Sequence, residues 1–146
     1  MALHNLNPAK HRAAQDAIDA AQDAASAAKD VGGSEALALT DVGNIDTITI
    51  VGVCHFQRVD DTVTVSGAAT VDTSGAGATT FGIAFPTGHG IANVAAATEV
   101  HGTYVDAAGD VGVIDGDASN ERAECIFTAA ADASRVGYFT FSYVAD

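Results

Sequence analysis

Five histidines, two cysteines and one aspartate-rich run are the residues of this chain that could do chemistry. The histidines stand at positions 4, 11, 55, 89 and 101, and none has the His-x-x-x-His or Cys-x-x-Cys spacing of a zinc site. Cys54 and His55 are neighbours that a strand would send to opposite faces, which is poor for shared ligation. His101 and Cys125 could share a metal only if two strands brought them together. His89, between Gly88 and Gly90, reads as a turn residue. The run Asp115-Gly-Asp-Ala-Ser-Asn-Glu starts like a calcium loop, with oxygen ligands at alternate positions. It lacks the glycine at the sixth position, where Asn120 sits, and the acid at the twelfth, where Ile126 sits. Its ordinary use is a polar turn in which Asp117, Ser119 and Asn120 bond to the backbone, with Arg122 paired to Asp117 or Glu121. A nucleophile needs a base and an orienting group. There is no Gly-x-Ser-x-Gly, and Gly75-Ala-Gly77 has no following lysine to hold phosphate. The expectation is a chain without catalytic residues, cofactor or metal.

The elements that would position these residues fall into two parts. All four leucines lie before residue 40, whereas valine, isoleucine and the aromatics lie almost wholly after residue 41. Residues 1–35 read as an alanine-rich helical arm, 36–45 as a linker fastened by Leu37 and Leu39, and 46–146 as a β-domain. Asn7 suits an N-cap and Pro8 the first helical position, and Gly32-Gly33 should end the helix near Asp30. Ala14, Ala17, Ala21, Ala24, Ala28 and Val31 repeat at heptad spacing with Ile18 beside the seam, so the arm can approach another backbone closely. Asp16, Asp19 and Asp23 load its middle with acid. The helix is expected to dock on a partner through Ala14, Ala17, Ile18, Ala21, Ala24 and Ala28; the alternative is packing against its own β-domain.

In the β-domain, Asp46–Val53 and Thr62–Gly67 read as β-branched strands. Alternation sends Phe81, Ile83 and Phe85 to one face, Cys125 and Phe127 to one face, and Phe139, Phe141 and Tyr143 opposite Tyr138, Thr140 and Ser142. Weaker strands are expected at Val94–Thr98, Val100–Val105 and Val111–Ile114. About eight short strands with Gly, Ser and Asp turns predict an antiparallel β-sandwich of the jelly-roll kind. Phe139 and Phe141 are expected in its core rather than on a ligand platform.

Nineteen acids against six bases give a net charge of -13. Such a field repels nucleic acid and anionic membranes, so neither is an expected partner. The stretch from Thr73 to Thr98 has no Asp, Glu, Lys or Arg, yet its glycines and Pro86 argue against a membrane span. The start Met1-Ala-Leu-His-Asn-Leu lacks the apolar core of a signal peptide, which predicts synthesis in the cytoplasm. Without that signal, Cys54 and Cys125 are expected as reduced, buried thiols. The scarcity of lysine suits a high-salt setting; a merely soluble acidic surface accounts for it equally.

Two segments carry a resemblance. Thr62–Pro86, with Thr-Val-Ser-Gly-Ala-Ala-Thr-Val and Thr-Thr-Phe-Gly-Ile-Ala-Phe-Pro, resembles part of a recurring β-domain of tailed-bacteriophage virion proteins. So does Gly116-Asp-Ala-Ser-Asn-Glu-Arg-Ala-Glu-Cys-Ile-Phe-Thr-Ala, continuing to Phe139-Thr-Phe-Ser-Tyr-Val. The resemblance implies a virion role: a capsid decoration (cement) protein, a head fibre or part of a tail. The leading expectation is a decoration protein on the capsid exterior, commonly a homotrimer, whose arm grips the major capsid protein. The alternative is a tail or fibre module that binds a host glycan, for which Tyr104 with Asp106 is the candidate platform. A marine or halophilic host is also implied.

Overall fold

The computed structural model describes residues 8–29, 31–91 and 93–145, with helix side chains from Ala9 to Asp23. Among the described residues, one α-helix, α1 (Pro8–Lys29), precedes ten strands. These are β1 (Val31–Glu35), β2 (Leu39–Gly43), β3 (Ile45–Ile50), β4 (Cys54–Val59) and β5 (Thr62–Thr73). They are followed by β6 (Gly77–Ile83), β7 (Val100–Asp106), β8 (Val111–Asp117), β9 (Arg122–Ala129) and β10 (Ser134–Val144). Pro8 opens the helix as expected, since it lacks the N–H that a first turn leaves unpaired. Asn7 and Asp30 lie outside the described residues.

The strands form one antiparallel sheet in the order β1-β4-β5-β10-β7-β8-β9-β6-β2, with β3 also on β5. It curls into a half-barrel. The mainly β, antiparallel domain with a helix before it is therefore as expected. Two separately hydrogen-bonded sheets are not seen among the described residues, because the β8–β9 pairing carries the ladder through. The strands pair in nested fashion, β5 with β10, β6 with β9 and β7 with β8, as when one long hairpin folds over.

Three strands lie where none was expected. Gly32-Gly33 sits within β1, which pairs with β4. A Cβ at Gly33 would stand 2.6 Å from the Phe56 ring, so glycine lets this aromatic lie against the edge strand. The span read as a linker contains β2, paired with β6, and Leu37 is buried beside it. Glu35 holds this root to the turn after β6: its carboxylate accepts the Thr87 amide at 2.9 Å and the Thr87 hydroxyl at 2.6 Å. The expected Asp46–Val53 strand ends at Ile50, and β4 follows a turn at Gly52.

Val94–Thr98 is not a strand. The Glu99 carboxylate accepts the Ala95 amide at 2.7 Å and the Ala96 amide at 3.3 Å, curling the chain into a short 3-10 turn at Ala97–Glu99. Side-chain hydrogen bonding to the local backbone here competes with a ladder.

Alternation fills the inside of the curl. Val63, Val65, Phe81, Ile83, Tyr104, Ile114, Cys125 and Phe141 are all at most 1% exposed. Phe81 meets Tyr104 edge-on at 5.7 Å between ring centroids, and Phe85 reaches Tyr143 at 4.5 Å. Fully burying each such side chain contributes about 1.5–3 kcal/mol. The chain closes this core without contribution from the described side chains of α1, which are all exposed.

Candidate partner-binding site

The arm is the first candidate, and its geometry follows from its sequence. Alanine and unbranched residues favour the helix, and its heptad row leaves a shallow face. Ala14, Ala17 and Ala21 are exposed, and Ile18 is 50% exposed. Packing against its own β-domain is therefore not what α1 does over Ala9–Asp23. Ala24 and Ala28 continue the row along the helix, but their side chains lie outside the described residues. Gln15 donates to the Asp19 carboxylate at 2.8 Å, which uses one of the helix acids locally.

The other chemistry-bearing residues resolve into structural roles. Asp117 organises the turn after β8. Its carboxylate accepts the Ser119 amide at 3.0 Å, the Asn120 amide at 3.2 Å and the Asn120 side-chain amide at 2.7 Å. It also pairs with Arg122 Nε at 3.1 Å. Desolvation pushes its acidity the other way, but the Asn120, Ser119 and Arg122 contacts outweigh it and hold the carboxyl below its usual range. Both carboxylate oxygens that a calcium loop would take from Asp117 are thus engaged by its neighbours. Glu124, half-buried beside Asp117, is shifted upward by desolvation and by that carboxylate.

His101 and Cys125 do not meet. His101 is exposed on the outer face of β7, while Cys125 is wholly buried on the inner face of β9. Cys54 and Cys125 are both free and buried, and burial pushes both thiols up, away from the reactive thiolate. His55 is exposed and lies 3.0 Å from the Ser34 hydroxyl through Nδ1. His89 occupies the turn expected of it, with its amide donating to the Pro86 carbonyl at 3.0 Å. No group of three His, Cys, Asp or Glu among the described residues is placed to hold a metal ion.

The proposed glycan platform is corrected. Tyr104 is 1% exposed and Asp106 7%. Tyr104 belongs to the aromatic core, and Asp106 accepts the Ala108 and Asp110 amides at 2.8 and 2.9 Å to shape the β7–β8 turn. Arg135 bridges Asp106 and Asp110 at 3.3 and 2.9 Å, locking that turn to β10. Alternation along Val100–Asp106 carries the signal that Tyr104 faces inward. A groove of about 470 Å³ does open beside β7 and β10, between Ile91, Asn93, Glu99, His101, Tyr143 and Val144.

Sequence reasoning did not find the outer face of the sheet. Tyr138 is 62% exposed, Val111 69%, Val113 53%, Val105 45% and Ile126 40%. Each was legible as outward-facing in its own strand, but only the register brings them together. No described helix is long and apolar enough to cross a membrane.

No protein-family model and no curated protein matches the chain. Among solved structures, the chain is similar to the Dettilon tailspike protein, with a TM-score of 0.45 and 13% identity. The match covers 78% of this chain and 24% of the tailspike chain, so this chain spans about a quarter of that protein.

Proposed function

We propose that this chain is a non-enzymatic structural module of a virion, whose helix α1 attaches the β-domain to a larger particle. The observation that carries the attachment role is the arm itself. From Ala9 to Asp23 every side chain is exposed, Ala14, Ala17, Ile18 and Ala21 included, while the β-domain completes its core without them. A helix of this length gains little stability from propensity alone, so a neighbour that covers its apolar row would supply what the chain does not.

The virion setting is supported by the sequence resemblance, whose segments become β5 with β6 and the end of β8 through β9 and β10. Their nested pairing supports a jelly-roll form for the domain. The finer proposal is a trimeric decoration protein on the capsid exterior, bound to the major capsid protein. Its action is mechanical, because apolar area buried across subunit joints stabilises the assembled shell by mass action. The buried, hydrogen-bonded Asp106, the hydrogen-bonded Asp117 and the inaccessible thiols support a role without catalysis.

The tail or fibre reading is kept for one reason, the groove between Asn93, His101 and Tyr143, which could admit a sugar. Co-sedimentation of the purified full chain with isolated heads and isolated tails of the encoding phage separates the two. Saturable binding to heads, with no signal on a glycan array, is the result expected of a decoration protein. Binding to tails together with a specific glycan signal would replace it with the fibre module.

A further inference from the structure

We infer that the outer face of β5-β10-β7-β8-β9-β6 is the surface through which copies of this chain associate with one another. Hydrogen-bond register sets two rows of outward side chains across these six strands. One row reads Ser66, Thr140, Thr103, Val113, Ile126 and Thr80. The row beside it reads Ala68, Tyr138, Val105 and Val111, and continues with Thr128 and Ala78 on β9 and β6. At about 4.8 Å between strands the face is roughly 25–30 Å wide. Tyr138, Val105, Val111, Val113 and Ile126 form its apolar centre, and the described residues of the chain leave them 40–69% exposed.

Charge identifies the occupant. The chain carries 19 acids and a net charge of -13, yet neither row contains an Asp, Glu, Lys, Arg or His. The acids stand around the face instead. Asp115 and Glu124 flank it on one side of β8–β9, and Asp72 lies beyond it on the other side of β5. Two copies this acidic repel wherever their surfaces carry that charge, and can approach closely only through ground that is neutral on both. A basic partner would instead select a face rich in acid, and nucleic acid or an anionic membrane would meet the same repulsion from the rim. Turning the neutral faces of several copies toward a symmetry axis buries their valines and Tyr138. It leaves the acids at the solvated rim, the apolar-centre and polar-rim arrangement of protein interfaces.

The inference concerns the free chain and does not depend on the virion reading. Sedimentation of the full chain, from micromolar to millimolar and at low and high NaCl, tests it. The wild type should form a homo-oligomer whose association is maintained or strengthened by salt. Val113→Glu and Val105→Glu, which place acids on the face, should weaken association at least tenfold. Gln57→Glu, exposed on β4 outside the face, should leave it unchanged, and thermal melts should show all three variants folded. A mass of two or three chains supports the face equally, and three chains matches the trimer proposed above. A wild type that stays monomeric throughout would overturn the inference, as would an oligomer indifferent to both valine substitutions or dissolved by salt.

Discussion

Asn44 shows how much one side chain can hold. It sits between β2 and β3 at φ 60°, a left-handed conformation that asparagine tolerates better than most residues. Its side-chain amide donates to the Gly75 carbonyl at 3.0 Å and the Thr79 hydroxyl at 2.7 Å, and its side-chain oxygen accepts the Ser74 hydroxyl at 3.1 Å. The chain thus passes from the β6 edge to the β5 edge at a pinned corner. Asn44→Ala should lower stability by about 1–3 kcal/mol in a urea melt; a change within error would mean the corner is held by the ladders alone. Gly137 is a second point of close approach, because a Cβ there would run into the Tyr104 ring. Gly137→Ala should destabilise by about 1–3 kcal/mol, whereas Gly43→Ala, with open space around it, should be near neutral. Equal effects would contradict the packing of Tyr104 under β10. Asp117 gives a pH signature. Its carboxyl is held below the ordinary range in the folded chain, so its contribution is full above about pH 4 and is lost as pH falls through the folded value. Asp117→Asn should therefore melt lower than the wild type near neutrality, and the gap should close in acid. A gap that persists unchanged in acid would assign the turn's stability to something other than this carboxylate.

Element by element, legibility followed the strength of alternation. β5, β6, β9 and β10 were readable because β-branched and aromatic residues recur every second position, and Phe139, Phe141 and Tyr143 do line the core as that period requires. β4 was not, because its inward set is Cys54, Phe56 and Arg58 and its outward set includes the half-exposed Val59, so neither face reads as apolar. β1 was hidden by Gly32-Gly33, which look like a helix stop but make room for Phe56. Val94–Thr98 has strand-like composition, yet Glu99 satisfies its backbone locally. The arm's heptad row is legible in Ala14, Ala17, Ile18 and Ala21, whereas its exposure is not, because the same row would suit packing on the chain's own β-domain. The neutral sheet face is not legible either, since its rows exist only once strands distant in sequence are in register. For α1 the consequence is a separation of effects. Ala21→Trp should leave the melting transition of the β-domain within about 0.5 kcal/mol of wild type, because the site touches no core. The same substitution should lower occupancy on particles. Unchanged occupancy would remove the alanine row from the attachment surface.

Across the whole molecule, the net charge of -13 sets the conditions under which the fold and its associations are strongest. Self-repulsion opposes the compact state, and salt screens it over about 10 Å at 0.1 M. The thermal midpoint of the full chain should therefore rise between low and high NaCl; a fall would mean that ion pairs such as Arg135 with Asp106 and Asp110 outweigh the repulsion. An acidic body, a neutral sheet face and an arm whose described side chains are exposed are the features on which the proposed assembly role rests. Hydrogen exchange of the full chain, free and bound to its particle, tests that claim most directly. The free chain should exchange the amides of Ala9–Asp23 quickly while the core strands β5, β6, β9 and β10 stay protected, and binding should slow the arm strongly with little change in the core. An arm that exchanges equally fast on the particle would contradict attachment through α1.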